Sequence, residues 1–416
     1  MVLHPSPPAS RPVCRLLPAL LLLLTIFGPM SMDLYLPVLP ALTIELDAGT
    51  STAQLTVTAC LIGLALGQLI AGPLSDRFGR GRPLYAGVAA YIATSVLCAA
   101  SPSIELLIGA RLVQGLAGGA GIVIAQAAGR DLYSGGRLIR YYGRMTVLGG
   151  LAAIVGPLLG GQLARITDWR GLFVSLAVIG AVILAVIASG YRETLPAHRR
   201  TTGGFAQTGR DVRRLLSDRA FSGAVLLQGC VNAALFAYLA GATYVLQGIY
   251  GLSPQQYAMA FGLNSAGFMA FGYLAGRSSE RWSVTGTLVA GLAMCAVGAL
   301  GLLASGLLTL PLAAVIMSLL VMVSGVAVTT PPATTLALAG YPQMAGTASS
   351  LLGMARFAFG GLSAPFVGLA GAATMLPLGI VTVVSVALAA VAYATLMTRR
   401  RPRTAPERPL TDARAG

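Results

Sequence analysis

Between Leu16 and Met397 the sequence is a succession of apolar runs separated by short polar turns. A helix rises 1.5 Å per residue, so about 18 to 20 residues cross a hydrocarbon core roughly 30 Å thick. Twelve runs reach that length, at 16–39, 52–72, 83–100, 104–127, 143–164, 171–190, 221–246, 254–275, 284–305, 309–330, 343–369 and 374–397. Only 10% of the residues are charged and 56% are hydrophobic, too little charge to cover a soluble protein of this size. The expected fold class is an all-α membrane protein.

The formal net charge of +15 would suggest a nucleic-acid partner in a soluble chain. Here the basic residues sort by side of the membrane. One side receives Arg11 and Arg15; Arg77, Arg80 and Arg82; Arg130, Arg137, Arg140 and Arg144; the seven from Arg192 to Arg219; Arg277 and Arg281; and the six from Arg399 onward. The other side receives Arg165 and Arg170. By the positive-inside rule both termini are cytoplasmic, and the basicity reports topology with no nucleic-acid site. The first run follows Arg11 and Arg15 as a signal peptide would, but it is too long, lacks a small-x-small cleavage site and contains Asp33, so it reads as retained. Five cysteines, Cys14, Cys60, Cys98, Cys230 and Cys295, lack metal-ligand spacing and read as packing residues.

Tyr191 to Phe221 is the longest polar segment and divides the spans six and six. The expected organisation is a tail at 1–15, a six-helix bundle at 16–190, a central loop at 191–220, a second bundle at 221–397 and a basic tail at 398–416. At an offset of 200 residues Gly67, Gly72, Leu74 and Arg77 recur as Gly267, Gly272, Leu274 and Arg277, in the equivalent loop of each half. Internal repeats of this kind are common in transporters. Asp76 has no counterpart, since Gly276 stands there.

Asp33 is the one acid placed well inside a span, where an ionised carboxylate costs about 2.5–3.5 kcal/mol even on the lenient insertion scale. Arg111 falls in the fourth span. Counted from the ends of their runs, both lie roughly 10 Å below the outer boundary, which makes them a candidate pair, direct or through water. A static ion pair that orders the bundle is the structural reading of Asp33; a proton or substrate path is the functional one. Tyr35, Gln114, Gln126, Gln228, Asn232, Tyr238 and Asn264 are further polar or aromatic residues in spans, candidates for a cavity or for ordinary interhelical hydrogen bonds. Arg356, in the eleventh span, has no acidic counterpart in its half and is assigned to the same cavity.

"GPLSDRFGRGRP", Gly72 to Pro83, puts Asp76 at a helix C-terminus, its less favourable end unless an arginine compensates. With Gly72, Arg77, Gly79 and Arg80 it suits a latch that can be made and broken. This string resembles the signature between the second and third helices of the major facilitator superfamily. "RLVQG" at 111–115 resembles that family's fourth-helix motif, and "DWRGLF" at 168–173 and "RETL" at 192–195 match common exporter positions. "LGGLAAIVGPLLGG", Leu148 to Gly161, resembles the fifth-helix motif of its drug–proton antiporters, carrying Gly149, Gly150, Gly156, Pro157, Gly160 and Gly161. "MDLYLPVLPAL" in the first span is similar to the bicyclomycin and chloramphenicol resistance (Bcr/CflA) subfamily.

The resemblance implies twelve helices in two pseudo-symmetric halves rocking about a central cavity, in the bacterial cytoplasmic membrane. It implies export of hydrophobic neutral or cationic antibiotic-like compounds in exchange for protons, with Asp33 and Arg111 as the coupling pair and the fifth-helix motif as a seal against proton leak. The partners expected are a drug-like small molecule, protons and lipid, with the protein a monomer and no cofactor. A proton-coupled importer, or an exporter of some other metabolite, on the same fold is the rival reading. An enzyme lacks the means: the histidines, His4 and His198, lie outside the spans, and no metal-ligand cluster or nucleotide-binding loop occurs.

Overall fold

The computed structural model describes residues 21–133, 135–197, 200, 204–278, 283–341, 345–368 and 374–397. Its first half is built from α1 (Leu21–Glu45), α2 (Thr50–Phe78), α3 (Gly81–Ala99), α4 (Ile104–Leu132), α5 (Gly135–Leu163) and α6 (Trp169–Gly190). A connecting helix α7 (Gly204–Leu216) leads to α8 (Arg219–Thr243, extended by a π-helical turn Tyr244–Ile249), α9 (Pro254–Ser278), α10 (Val284–Leu308), α11 (Leu312–Leu338), α12 (Ala345–Val367) and α13 (Leu376–Ala392). All twelve expected spans are helical where described. Ten of them are long and apolar enough to cross a membrane on that criterion alone; α3 and α5, diluted by glycine, tyrosine and arginine, are the other two.

Polar residues at the turns start these helices. Asp168 accepts from the Gly171 N–H at 3.0 Å, Asp218 from Ala220 and Phe221 at 2.7 and 3.0 Å, and Ser283 from Gly286 at 3.0 Å. Each cap satisfies donors that the first helical turn leaves open. Small residues then set how closely helices approach, as expected where lipid removes the hydrophobic drive between them. A methyl group on Gly63 or Gly67 would overlap the backbone of Leu112 or Leu116 on α4. In the second half Gly267 stands against Leu320 on α11, so the repeated glycine does the same work in both halves.

Two features differ from expectation. The first helix continues to Glu45 and is broken by a 3₁₀ turn at Leu36–Val38, because Pro37 and Pro40 lack the N–H an α-helix needs. The central loop contains α7, an amphipathic helix with Arg210, Arg213 and Arg214 exposed while Val212 and Leu215 pack against Phe221, Leu351 and Leu352. Polarity alone hid that apolar stripe. The halves meet where α2 lies along α12 and α5 along α9.

Candidate transport path and latch

Asp33 closes the α-helical stretch Phe27–Asp33, just before the break in α1. It is buried, and it makes no hydrogen bond or ion pair with any described residue. It is within electrostatic reach of Tyr238 on α8 and Tyr257 on α9 in the opposite half, and its Cβ stands close to Gly156 of α5 in its own. Asn264 donates to the Tyr238 hydroxyl at 3.1 Å from the same side.

Of the two forms in which Asp33 and Arg111 could pair, direct or through water, the direct ion pair is not formed. The Arg111 guanidinium donates to the Ser31 carbonyl at 2.9 Å and to Gln114 Oε1 at 2.6 Å, and lies 4.4 Å from the Tyr35 ring. Gln114 passes the chain on to Ser95 Oγ at 2.7 Å, and the Tyr35 hydroxyl meets Thr56 Oγ1 at 3.0 Å. Successive helical residues are turned by about 100°, so Ser31 and Asp33 point to nearly opposite sides of α1. Matching depth therefore did not bring the charges together. Arg111, Gln114 and Tyr35 form a cluster inside the first half, separate from Asp33.

Gln126 lies roughly 120° around α4 from Gln114 and is exposed, on the stretch of α4 whose Val123, Ala127 and Arg130 line the cavity on the arginine-rich side. Gln228, Asn232 and Arg356 do come together in the second half. Gln228 Nε2 donates to Thr334 Oγ1 at 3.2 Å, and Arg356 Nε reaches Asn232 Oδ1 at 3.4 Å.

On the arginine-poor side the halves are joined by hydrogen bonds. Thr43 Oγ1 meets the Tyr244 hydroxyl at 2.7 Å, Gln247 donates to the Pro37 carbonyl at 2.9 Å, and Gln255 donates to the Gly161 carbonyl at 3.0 Å. Glu45 accepts from the Trp169 indole at 2.8 Å and pairs with Arg170, so "DWRGLF" ties α6 to the end of α1. On the arginine-rich side a cavity of about 160 Å³ lies between the halves, lined by Gln68, Asp76 and Arg80 of one and Thr347, Ser350 and Leu351 of the other. The access this geometry leaves is from the arginine-rich side.

The fifth-helix glycines seat α5 on both neighbours. A methyl group on Gly156 would stand 3.1 Å from Asp33 Cβ, one on Gly160 would overlap the Leu34 carbonyl, and one on Gly161 would crowd Ala258 of α9 at 2.8 Å. Pro157 is buried within the same helix, whereas Gly149 has no atom near it. The surroundings of Gly150 lie outside the described residues.

Arg80 is the hub of the latch. It pairs with Asp76 at 2.5 Å and with Asp131 at the end of α4 at 2.9 Å, and it donates to Ser75 Oγ at 2.7 Å. Arg77 is exposed beside the Phe78 ring, and Gly72 is in ordinary contact with Val123. Gly79 has φ of 85°, a left-handed conformation that glycine adopts without strain. Glu193 of "RETL" accepts the Arg80 and Gly81 N–H groups at 2.9 and 3.1 Å, capping α3 across more than one hundred residues of chain. Burial pushes the Glu193 carboxyl up, but the N–H groups of Leu195, Arg80 and Gly81 and the Arg200 guanidinium outweigh it and hold it below its ordinary range. Sequence reasoning missed Asp131 and gave Glu193 no role; the acid beside Arg130 and the acid inside the noted motif were the available signals.

Residues 21–365 match the Major Facilitator Superfamily. The chain belongs to that superfamily. It is 33% identical over 376 residues to the uncharacterised MFS-type transporter YdgK of Bacillus subtilis (strain 168), covering 90% of this chain and 93% of the relative. It is 27% identical to the bicyclomycin resistance protein homolog of Haemophilus influenzae (strain ATCC 51907 / DSM 11121 / KW20 / Rd), over 91% and 95% of the two chains. In fold it resembles a bacterial homolog of the human lysosomal transporter Spinster in an inward-facing, occupied conformation, with TM-score 0.71 and 16% identity over 93% and 96% of the chains. The protein is a multi-pass membrane transporter of small molecules and not an enzyme, and its likeness to the Bcr/CflA drug-resistance proteins agrees with the first-helix string.

Proposed function

We propose that this transporter exports hydrophobic neutral or cationic drug-like compounds from the bacterial cytoplasm in exchange for protons, as a monomer with both termini cytoplasmic. The observation that carries the reading is Asp33: a buried acid within electrostatic reach of two tyrosines of the opposite half, with no cation paired to it among the described residues. An acid in that position is free to exchange a proton for a substrate, which Arg111, committed to its own half, does not prevent. The arginine bias supports reading the cavity beside Asp76 as cytoplasmic, the side from which an exporter loads.

Alternating access follows from opposed contacts. The present closure on the far side, through Thr43, Gln247 and Gln255, must open as the Arg80 latch side closes. Proton entry at Asp33 favours substrate release outward, and deprotonation towards the cytoplasm restores binding. Exchange of one proton for a neutral compound moves one charge, and 100 mV then supplies about 2.3 kcal/mol, enough for roughly a fiftyfold gradient. One-for-one exchange with a monovalent cation is electroneutral and draws on the pH difference. The experiment is flux of a labelled cationic dye in inverted vesicles with and without a collapsed proton gradient. Gradient-dependent accumulation inside supports export, and accumulation in the opposite direction supports the importer.

A further inference from the structure

Arg356 stands at the centre of α12, eleven residues from each end of Ala345–Val367, or roughly 16 Å from either boundary. A guanidinium side chain is too short to snorkel that far. No acid pairs with it among the described residues; its contacts are the long bond to Asn232 and the ring of Phe357 at 5.9 Å. Arg356 is half-buried; arginine keeps its charge in proteins, and in a partly desolvated setting it gains from an opposite charge. A bilayer protein that carries such a group in the middle of a helix leaves room for an anion.

A second donor lies beside it. Gln68 of α2 is buried, and its Nε2 has no acceptor. Its Oε1 comes within 2.7 Å of where a side chain at Gly353 would begin, one helical turn before Arg356. Gln68 also lines the arginine-rich-side cavity, together with Ser350 and Leu351 of the helix that carries Arg356.

The two poles of the path are joined by α8. Asn232 touches Arg356, and Tyr238, six residues or roughly 9 Å further along, is within electrostatic reach of Asp33. We propose that Arg356 and Gln68 form an oxyanion subsite at the inner end of the path whose outer end is Asp33, and that the preferred substrates are zwitterionic amphiphiles, with an amine directed to Asp33 and a carboxylate or similar oxyanion to Arg356. This rests on the reading of the Asp33 region as the substrate path. It extends the substrate class from neutral and cationic compounds to those that carry both charges.

The test uses four compounds on one scaffold, a para-substituted phenyl ring with an aminomethyl group at one end and a propanoate at the other. The parent is a zwitterion, its amide a cation, its N-acetyl derivative an anion, and the doubly blocked compound neutral. Binding to the purified protein in nanodiscs, without any proton gradient, is measured for wild type, Arg356→Gln, Arg356→Lys and Asp33→Asn. Wild type should bind the zwitterion about tenfold or more tighter than its amide, the scale of a charge-assisted hydrogen bond. Arg356→Gln should bring that ratio to about one, and Arg356→Lys should restore part of it. Asp33→Asn should weaken both amines equally and keep the ratio. An unchanged ratio in Arg356→Gln overturns the subsite; if that variant does not fold, a ratio near one in wild type does so. Because no transport is measured, failure of proton-driven export would leave this comparison intact.

Discussion

Arg111 holds the Ser31 carbonyl at 2.9 Å and leaves Asp33, two residues further along the same helix, without a cation among the described residues. The two charges that share a depth in the sequence thus have different duties. Arg111 orders the first half from within, and Asp33 stands at the seam between the halves.

Replacing Arg111 by Gln should therefore act on stability. It orphans Gln114 Oε1 and the Ser31 carbonyl, each a loss of about 1–3 kcal/mol when buried, and removes a cation stacked on Tyr35. Thermal unfolding in detergent should show Arg111→Gln melting several degrees below wild type and Asp33→Asn close to it. Equal melting of Arg111→Gln and wild type would argue against the ordering role.

The glycine row offers a paired comparison. Gly160→Ala must displace the Leu34 backbone, an overpacking of about 1–3 kcal/mol, next to the break that presents Asp33. Gly149→Ala meets nothing within 4 Å. In proteoliposomes the first should lose substrate transport, and the second should match wild type.

At the latch, Arg80 ties α2, α4 and the start of α3 together, whereas Asp76 is half exposed and gives it one bond. Asp131→Asn and Asp76→Asn should each slow turnover, the first more, with substrate affinity within about twofold of wild type, since the contacts bias conformations without touching substrate. A matching fall in affinity, measured by equilibrium binding, would move the latch into the binding site.

Glu193 fixes the sign of the latch's response to acid. Its pKa is held below the unfolded value, so its contribution is fully present above about pH 4.3, the ordinary glutamate value, and disappears as pH falls through the depressed folded value. The difference in melting temperature between wild type and Glu193→Gln should stay constant from pH 6 to 8 and shrink only in stronger acid. A difference that changes across pH 6 to 8 would mean that some other group titrates in the latch.

The spans could be read from the sequence because hydropathy is local, and the Gly72–Arg80 string was noticeable because its spacing is local. Asp33 stood out because a lone acid in an apolar run is also a local signal. The contacts of Arg111 were not legible: depth along a helix says nothing of azimuth, and Arg111 turns to the Ser31 carbonyl. Helix α7 was hidden by its arginines, and the Glu193 cap spans a separation no short pattern records. The closeness of Gly156 and Gly160 to Asp33 and Leu34 gives the antiporter-like motif a physical task in this chain, namely to let α5 approach the broken part of α1.

The central claim is that Asp33 couples substrate to protons, and the amide variant isolates it because Asn keeps the carboxylate's shape but neither takes up nor releases a proton. The measurement is drug-induced proton release, read together with uphill accumulation of a cationic dye, in proteoliposomes carrying wild type or Asp33→Asn. Wild type should release protons on binding the dye and concentrate it against a gradient. Asp33→Asn should insert normally and bind neutral compounds, yet release no proton and equilibrate the dye without concentrating it. Proton release and concentration persisting in Asp33→Asn would contradict the account and return Asp33 to a structural role.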